Sequence, residues 1–308
     1  MDQRLKERLE ELAENPVEWG RKLAPFTSFG IGGPADAIIQ VESTEELGRL
    51  LQFFAENSLT WRFIGKGTNL LVSDSGFSGV VLFFGKALSN IELLEKSESG
   101  DIHVRVGAGC SLAKLLSWCA TRSYSGLEFS AGIPGTLGGA VVMNAGAWGG
   151  EISDIIDSLC VFSQKSGVEH LDRDELDFRY RAWENQGNAK SKRLVLSADL
   201  CLKHGQKTEI QQKCMGYLLQ RKEKQPKIEK NAGSFFKNPE GDSAGRLIEA
   251  SGLKGTRYGG AMVSPVHANF LVNTGTATAN DIFRLMDIVT TQVEKDSGVQ
   301  LLPEVHFL

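Results

Sequence analysis

The glycines constrain this chain more than any other feature. There are 34 of them in 308 residues, and they stand in clusters between short apolar runs. Those runs, Ala37–Val41, Arg62–Ile64, Val80–Phe84, Ile102–Val106, Leu159–Phe162 and Leu194–Leu202, have the length and make-up of strands. Two clusters, FIGKGTNLL (Phe63–Leu71) and VGAGCSLAKLL (Val106–Leu116), directly follow such runs. Glycine removes the Cβ that would block a phosphate from successive peptide N–H groups. A plain Gly-rich turn accounts for either stretch equally well. The third cluster, SAGIPGTLGGAVVMNAGAWGGE (Ser130–Glu151), is a poor former of helix or strand. Its interleaved Ile133, Leu137, Val141, Val142 and Met143 argue against a linker. The stretch predicts irregular backbone packed closely on a large cofactor.

Helix signals fall between and after these runs. Ser43 with Glu46 reads as a capping box before Leu47, Leu50, Leu51 and Phe54, and Ser111 caps a second helix through Cys119. A polar helix over Glu209–Lys224 leads into QPKIEK, and a short one around Ala244–Ala250 ends at Gly252. A strand over Asn269–Val272, a helix over Asn280–Lys295 begun by Thr278 with Asp281, and a β-like tail, Gln300–Leu308, complete the chain. This order predicts α+β units rather than regular βαβ repeats, with a boundary near residues 203–208.

Several function classes drop out. A net charge of −4 gives no overall attraction for nucleic acid or an anionic membrane. The five cysteines are odd in number, widely spaced and without a CxxC pair, which fits a reducing compartment better than a disulfide framework or a zinc site. MDQRLKERLEELAENP is a charged amphipathic helix without a signal peptide's apolar core, and no later stretch is long enough to span a bilayer. The expectation is a cytoplasmic protein without a metal. No GxxxxGK[ST] or GxSxG occurs, and Pro34 interrupts the loose GxGxxA at Gly30–Ala35. A dinucleotide would therefore need a scaffold other than a P-loop or a Rossmann unit.

The candidate chemistry lies in three short motifs. In NAGSFFKNP, Ser234 stands between glycine and two aromatics, where a hydroxyl could deliver a proton, although a turn or capping serine is the commoner case. Lys237 and Asn238 beside it suit an anionic substrate and are equally ordinary at a surface. In DFRYRAWEN, composition alone makes Arg181 a solvated cation beside Tyr180. In LLPEVHFL, strand alternation would turn Glu304 and His306 to solvent together. His267, in SPVHANFLVN, reads as a turn or strand-entry residue.

In their order, LAPFTSFGIGGPAD, GKGTN, GIPGTLGGAVVMNAGAWG, FRYR, NAGSFFKNP and the terminal PEV resemble the UDP-N-acetylenolpyruvoylglucosamine reductase family over nearly the whole chain. The run from Ala244 to Gly275 is similar to the shorter subclass, which lacks an inserted tyrosine-bearing loop. The resemblance implies a two-subdomain FAD cradle of the vanillyl-alcohol-oxidase (PCMH) type followed by a C-terminal α+β substrate domain. The domains would be an N-terminal helix (1–20), the cradle (21–205, its subdomains about 21–86 and 87–205) and the substrate domain (206–308). It implies non-covalent FAD, NADPH as hydride donor, UDP-N-acetylglucosamine enolpyruvate as substrate and a monomer that binds neither nucleic acid nor membrane. Gly65, Lys66, Gly67, Thr68 and Asn69 would follow the FAD pyrophosphate, while Gly132, Gly138, Gly139 and Ala140 would pack on the flavin. Arg181 would stabilise developing negative charge, Ser234 would donate a proton, and Glu304 would assist. Tyr180, Lys237 and Asn238 would contact substrate.

Overall fold

A computed structural model of the protein describes residues 1–94, 100–184, 193–226 and 230–308. Residues 227–229 of the QPKIEK stretch and Asn185 of DFRYRAWEN lie outside the described residues. The described chain gathers into two compact units, each made of three stretches: 1–18, 37–65 and 79–219 in the first, and 19–36, 66–78 and 220–308 in the second. This grouping differs from the linear division at residues 20 and 205. Two stretches of the expected cradle, 19–36 and 66–78, pack with the C-terminal part.

The first unit opens with α1 (Gln3–Leu12), whose Asp2 N-cap accepts a hydrogen bond from Leu5 N–H. A small sheet runs in the order Glu18–Trp19, Ala35–Val41, Phe77–Phe84, Trp61–Phe63. Helix α2 (Thr44–Glu56) buries Leu47, Leu50, Leu51 and Phe54, the periodicity read from the sequence. Its capping box is only half made. Ser43 accepts from Glu46 N–H, but the buried Glu46 carboxylate turns to the N–H groups of Glu42 and Glu14. It ties the end of α1 to the start of α2 instead of closing its own box.

The larger sheet is antiparallel throughout, in the order Gly167–Asp172, Ile156–Ser163, Leu194–His204, Ile102–Gly107, Ile91–Leu93. Leu196, Ala198, Leu200 and Leu202 alternate onto its buried face, the period of two expected of a strand with one face in a core. Helix α3 (Leu112–Thr121) carries the predicted Ser111 cap and runs two residues beyond Cys119. The Gly-rich run after Ser130 is more regular than expected, because α4 (Leu137–Val142) passes through Gly138 and Gly139. Packing against Val104, Ala108 and Ala198 in one core outweighs the low helix propensity of two glycines. Helix α5 (Lys207–Lys224) matches the polar helix read after residue 203.

The second unit holds a four-stranded antiparallel sheet, Lys230–Asn231, Leu271–Asn273, Ala261–Val263, Arg257–Tyr258. Asn269, expected to begin a strand, sits in the turn before it. Helix α6 (Ala244–Ala250) ends in a Schellman motif: Gly252 N–H bonds Glu249 C=O, Leu253 N–H bonds Ile248 C=O, and Gly252 has φ +68°. Helix α7 (Ala279–Ser297) has the full Thr278/Asp281 capping box and a left-handed Gly298 at its end. Its first N–H groups, on Ala279 and Asn280, also bond the Asp74 carboxylate at 2.8 and 3.0 Å. The tail is not one continuous strand. Pro303 forms a single bridge with Phe236, and His306–Phe307 pairs parallel with Leu70–Leu71. Proline has no N–H to continue a ladder. Glu304 is half-buried while His306 is exposed, so the two do not share the solvent face expected of them.

Candidate active site

In the first unit, two Gly-rich loops that are far apart in sequence lie side by side. Leu112 N–H bonds Gly135 C=O, Leu137 N–H bonds Cys110 C=O, and Gly138 N–H bonds Ala108 C=O. A Cβ on Gly138 would stand 2.9 Å from the Ala108 Cβ, so this contact needs glycine. Thr136 caps α4 through Gly139 N–H, and its hydroxyl also faces Gly65, where a Cβ would come within 2.6 Å. Gly65 and Gly139, assigned to the cofactor from sequence, are thus brought together around Thr136, a residue the sequence reading missed. Gly65, Gly132 and Gly139 are exposed, while Gly138 is half-buried and Ala140 buried. Bare peptide edges at these glycines fit a large flat group such as FAD lying against the backbone. A second feature fits a bound group: the Trp148 indole N–H is buried with no hydrogen-bond partner among the described residues. Its ring stacks on Tyr217, 5.1 Å between centroids and 2° between planes.

Arg181 is anchored by the backbone. It sits at the tip of a hairpin formed by Phe178–Arg179 and Ala182–Trp183, with φ +55°, an uncommon conformation for a side-chain-bearing residue. Its guanidinium donates to Asn144 C=O at 3.4 Å and Gly146 C=O at 3.0 Å and lies 5.0 Å from the centre of the Tyr180 ring. Tyr180 is 49% exposed. Asn144, fully buried and itself at φ +39°, donates through Nδ2 to Arg179 C=O and the Glu151 carboxylate and accepts from Ser153 N–H. The composition-based reading failed because these acceptors are backbone carbonyls, which leave no mark in sequence.

The second unit joins the serine and glutamate motifs. Glu304 N–H bonds Phe235 C=O at 2.8 Å, and Lys237 N–H bonds Leu302 C=O at 2.8 Å. Ser234 therefore directly precedes the residue that carries Glu304. Asn69 adds a third strand of contact, with Nδ2 donating to Glu304 C=O at 3.0 Å and its own carbonyl accepting His306 N–H at 3.1 Å. Asn69 was expected beside a pyrophosphate, but its amide here holds the glutamate's backbone. Gly67 has φ +59°, and a Cβ there would collide with Phe26 C=O. Thr68 is half-buried, with its carbonyl accepting from the Ser28 hydroxyl, and Lys66 is exposed. Asn238 is exposed and caps α6, its Oδ1 accepting Ala244 N–H at 3.1 Å. Lys237 is half-buried. The His267 pKa is pushed down, mainly by burial.

Nucleophilic sulfur is unsupported. Burial drives Cys119 up to about 12 and raises Cys160, Cys201 and Cys214, so these thiols are held protonated. Among the described residues no His, Cys, Asp or Glu cluster is poised for a metal, and no helix is long and apolar enough to cross a membrane.

Comparison with known proteins agrees with this geometry. A family model described as an FAD binding domain matches residues 35–172, and one described as the C-terminal domain of UDP-N-acetylenolpyruvoylglucosamine reductase matches residues 225–308. The UDP-N-acetylenolpyruvoylglucosamine reductase of Syntrophus aciditrophicus is 40% identical over 306 residues, covering 99% of this chain and 96% of its own. The same enzyme of Lachnoclostridium phytofermentans is 43% identical over 294 residues, covering 95% and 93%. The crystal structure of the reductase from Thermus caldophilus superposes with a TM-score of 0.78 at 35% identity, over 95% of this chain and 98% of that one. The expected fold, an FAD cradle with a C-terminal α+β domain, is the fold of this chain, which belongs to the UDP-N-acetylenolpyruvoylglucosamine reductase family.

Proposed function

We infer that this chain reduces UDP-N-acetylglucosamine enolpyruvate to UDP-N-acetylmuramate in peptidoglycan precursor synthesis, with NADPH as the electron source. Family membership over nearly its full length carries the reaction. The backbone pairing of Phe235–Lys237 with Leu302–Glu304 supports the roles of Ser234 and Glu304. Bound FAD supplies the hydride that the terminal vinyl carbon of the substrate receives. The residues that would hold it are Gly65, Lys66, Gly67, Thr68 and Asn69 along its phosphates, and Gly132, Gly138, Gly139 and Ala140 against its ring. Asn69 would do so from the backbone, since its side chain is committed to Glu304.

Hydride arrival leaves negative charge on the neighbouring carbon and its carboxylate. Arg181 opposes that charge with a guanidinium already oriented by two carbonyls, so little reorganisation is needed as the charge develops. Ser234 then gives its proton to the carbon that bears the ether oxygen. A serine hydroxyl is a weak acid, so its reach and alignment decide the rate. Glu304, fixed one residue across from Ser234, polarises the enolate or the proton path. Tyr180 would border the substrate beside Arg181, and Lys237 and Asn238 would meet its anionic groups. In this reading the protein works as a cytoplasmic monomer.

Stopped-flow flavin absorbance tests the assignment. Ser234→Ala is expected to bind FAD and be reduced by NADPH normally, yet to lose roughly 100-fold or more in reoxidation by the enolpyruvyl substrate. Reoxidation at the native rate would remove Ser234 from the proton-donor role.

A further inference from the structure

We propose that Asn269 is a positioning residue for proton delivery, its carboxamide fixing the peptide that carries Ser234 and presents Glu304. The proposal rests on the reading of Ser234 as proton donor.

Asn269 is 3% exposed and makes three hydrogen bonds to the two residues that follow Ser234. Its backbone carbonyl accepts Phe235 N–H at 2.7 Å, its Oδ1 accepts Phe236 N–H at 2.9 Å, and its Nδ2 donates to Phe236 C=O at 2.8 Å. The side chain thus satisfies both main-chain groups of Phe236, as a neighbouring strand would. On the opposite side Phe235 C=O receives Glu304 N–H. One peptide is therefore gripped by Asn269 on one side and delivers Glu304 on the other.

Asn269 is itself held in place. Its N–H donates to His267 Nδ1 at 3.2 Å, and the His267 ring meets Phe270 edge-on at 4.8 Å. The same ring covers Gly245 on α6, where a Cβ would come within 3.3 Å. His267 N–H in turn bonds the Ser264 hydroxyl.

The chemistry favours this residue type. A serine oxygen lies two bonds from Cα, so it goes where the backbone goes and has almost no reach of its own. Proton transfer to carbon needs donor and acceptor at close range, so small backbone shifts cost rate. A carboxamide offers one donor and one acceptor at a fixed spacing. Aspartate keeps the acceptor and loses the donor, leaving Phe236 C=O facing an oxygen, and alanine loses both. Gln carries the same groups one carbon too far.

The test uses Asn269→Asp and Asn269→Ala in the FAD-loaded full chain, beside Ser234→Ala, with each half-reaction followed by flavin absorbance. Reduction by NADPH is expected to stay within about twofold of native. Reoxidation by UDP-N-acetylglucosamine enolpyruvate is expected to slow about 10- to 100-fold, Asn269→Ala more than Asn269→Asp, with the concentration dependence for that substrate little changed. The solvent deuterium isotope effect on reoxidation is expected to rise, because a misplaced donor makes proton transfer more rate-limiting. A merely structural role would lower flavin content or slow both half-reactions alike, and that result overturns the proposal. Native reoxidation in Asn269→Asp also overturns it, and this variant serves if Asn269→Ala does not fold. Native reoxidation in Ser234→Ala would instead sink the proton-donor reading itself, so the two failures are distinguishable.

Discussion

The region around Arg181 and the region around Ser234 solve the same problem by different means. Arg181 has a long side chain, so fixing its backbone would leave the charge free to wander. The structure fixes the far end, with Asn144 C=O and Gly146 C=O taking the guanidinium and the Tyr180 ring beneath it. Ser234 has a hydroxyl next to the main chain, so the contacts go to the peptide after it, from Asn269 and from the Glu304 segment. The two also differ in sequence range. The two carbonyls that take the Arg181 guanidinium stand 37 and 35 positions from it, whereas the Glu304 backbone is held by Asn69, 235 positions away. How far a functional group stands from its backbone decides which atoms the fold must immobilise.

The largest effect is expected from Arg181→Lys. The ammonium cannot make the forked donation to two carbonyls, so the charge loses its orientation while its sign remains. Reoxidation by substrate is expected to fall about 100- to 1,000-fold with FAD content unchanged, measured by stopped flow. A fall under tenfold would mean that charge alone suffices and the carbonyl anchors are incidental. Asn144→Ala comes next. It strips hydrogen bonds from Arg179 C=O and Ser153 N–H in a buried site, at a cost of about 2–4 kcal/mol in urea unfolding. It should also slow turnover, because the Arg181 hairpin loses its base.

Asp74→Ala probes the second region from a distance. Two N–H groups of α7 lose a carboxylate, which should lower stability by about 1 kcal/mol and leave the first half-reaction untouched. The smallest effect is expected from pH. Burial depresses His267, so its neutral form stabilises the fold above the unfolded histidine value, about 6.5. That contribution is lost as pH falls through the depressed value, because the unfolded chain then binds the extra proton. Lys254 works in the same direction and Glu249 against it. Urea midpoints should decline from pH 7 to pH 5, and His267→Gln, which keeps an acceptor, should flatten that decline. An unchanged slope would detach His267 from the support of Asn269.

Much of the local structure was legible. Ser111, Thr278 and Gly252 mark helix ends because caps work through atoms one to four residues away. The apolar run Leu194–Leu202 placed a strand, and the ordered motifs placed the family. The reading failed where the partner was remote or was backbone. Glu46 left its own capping box for the N–H groups of Glu42 and Glu14. Arg181 found two backbone carbonyls, and Gly138 and Gly139 entered a helix under packing.

Local chemistry fixes where the chain turns, where helices start and stop, and which short motifs could hold chemistry, since all of these follow from neighbours within a few bonds. Tertiary structure alone decided that the 66–78 stretch closes on the C-terminal tail, with Leu70–Leu71 beside His306–Phe307 and Asp74 at the head of α7. It alone decided that Asn69 holds Glu304 and that Asn269 grips Phe236. The physical reason is that a buried polar group takes whatever partner the packed chain brings within hydrogen-bonding distance. That partner can lie more than 200 residues away with no local trace.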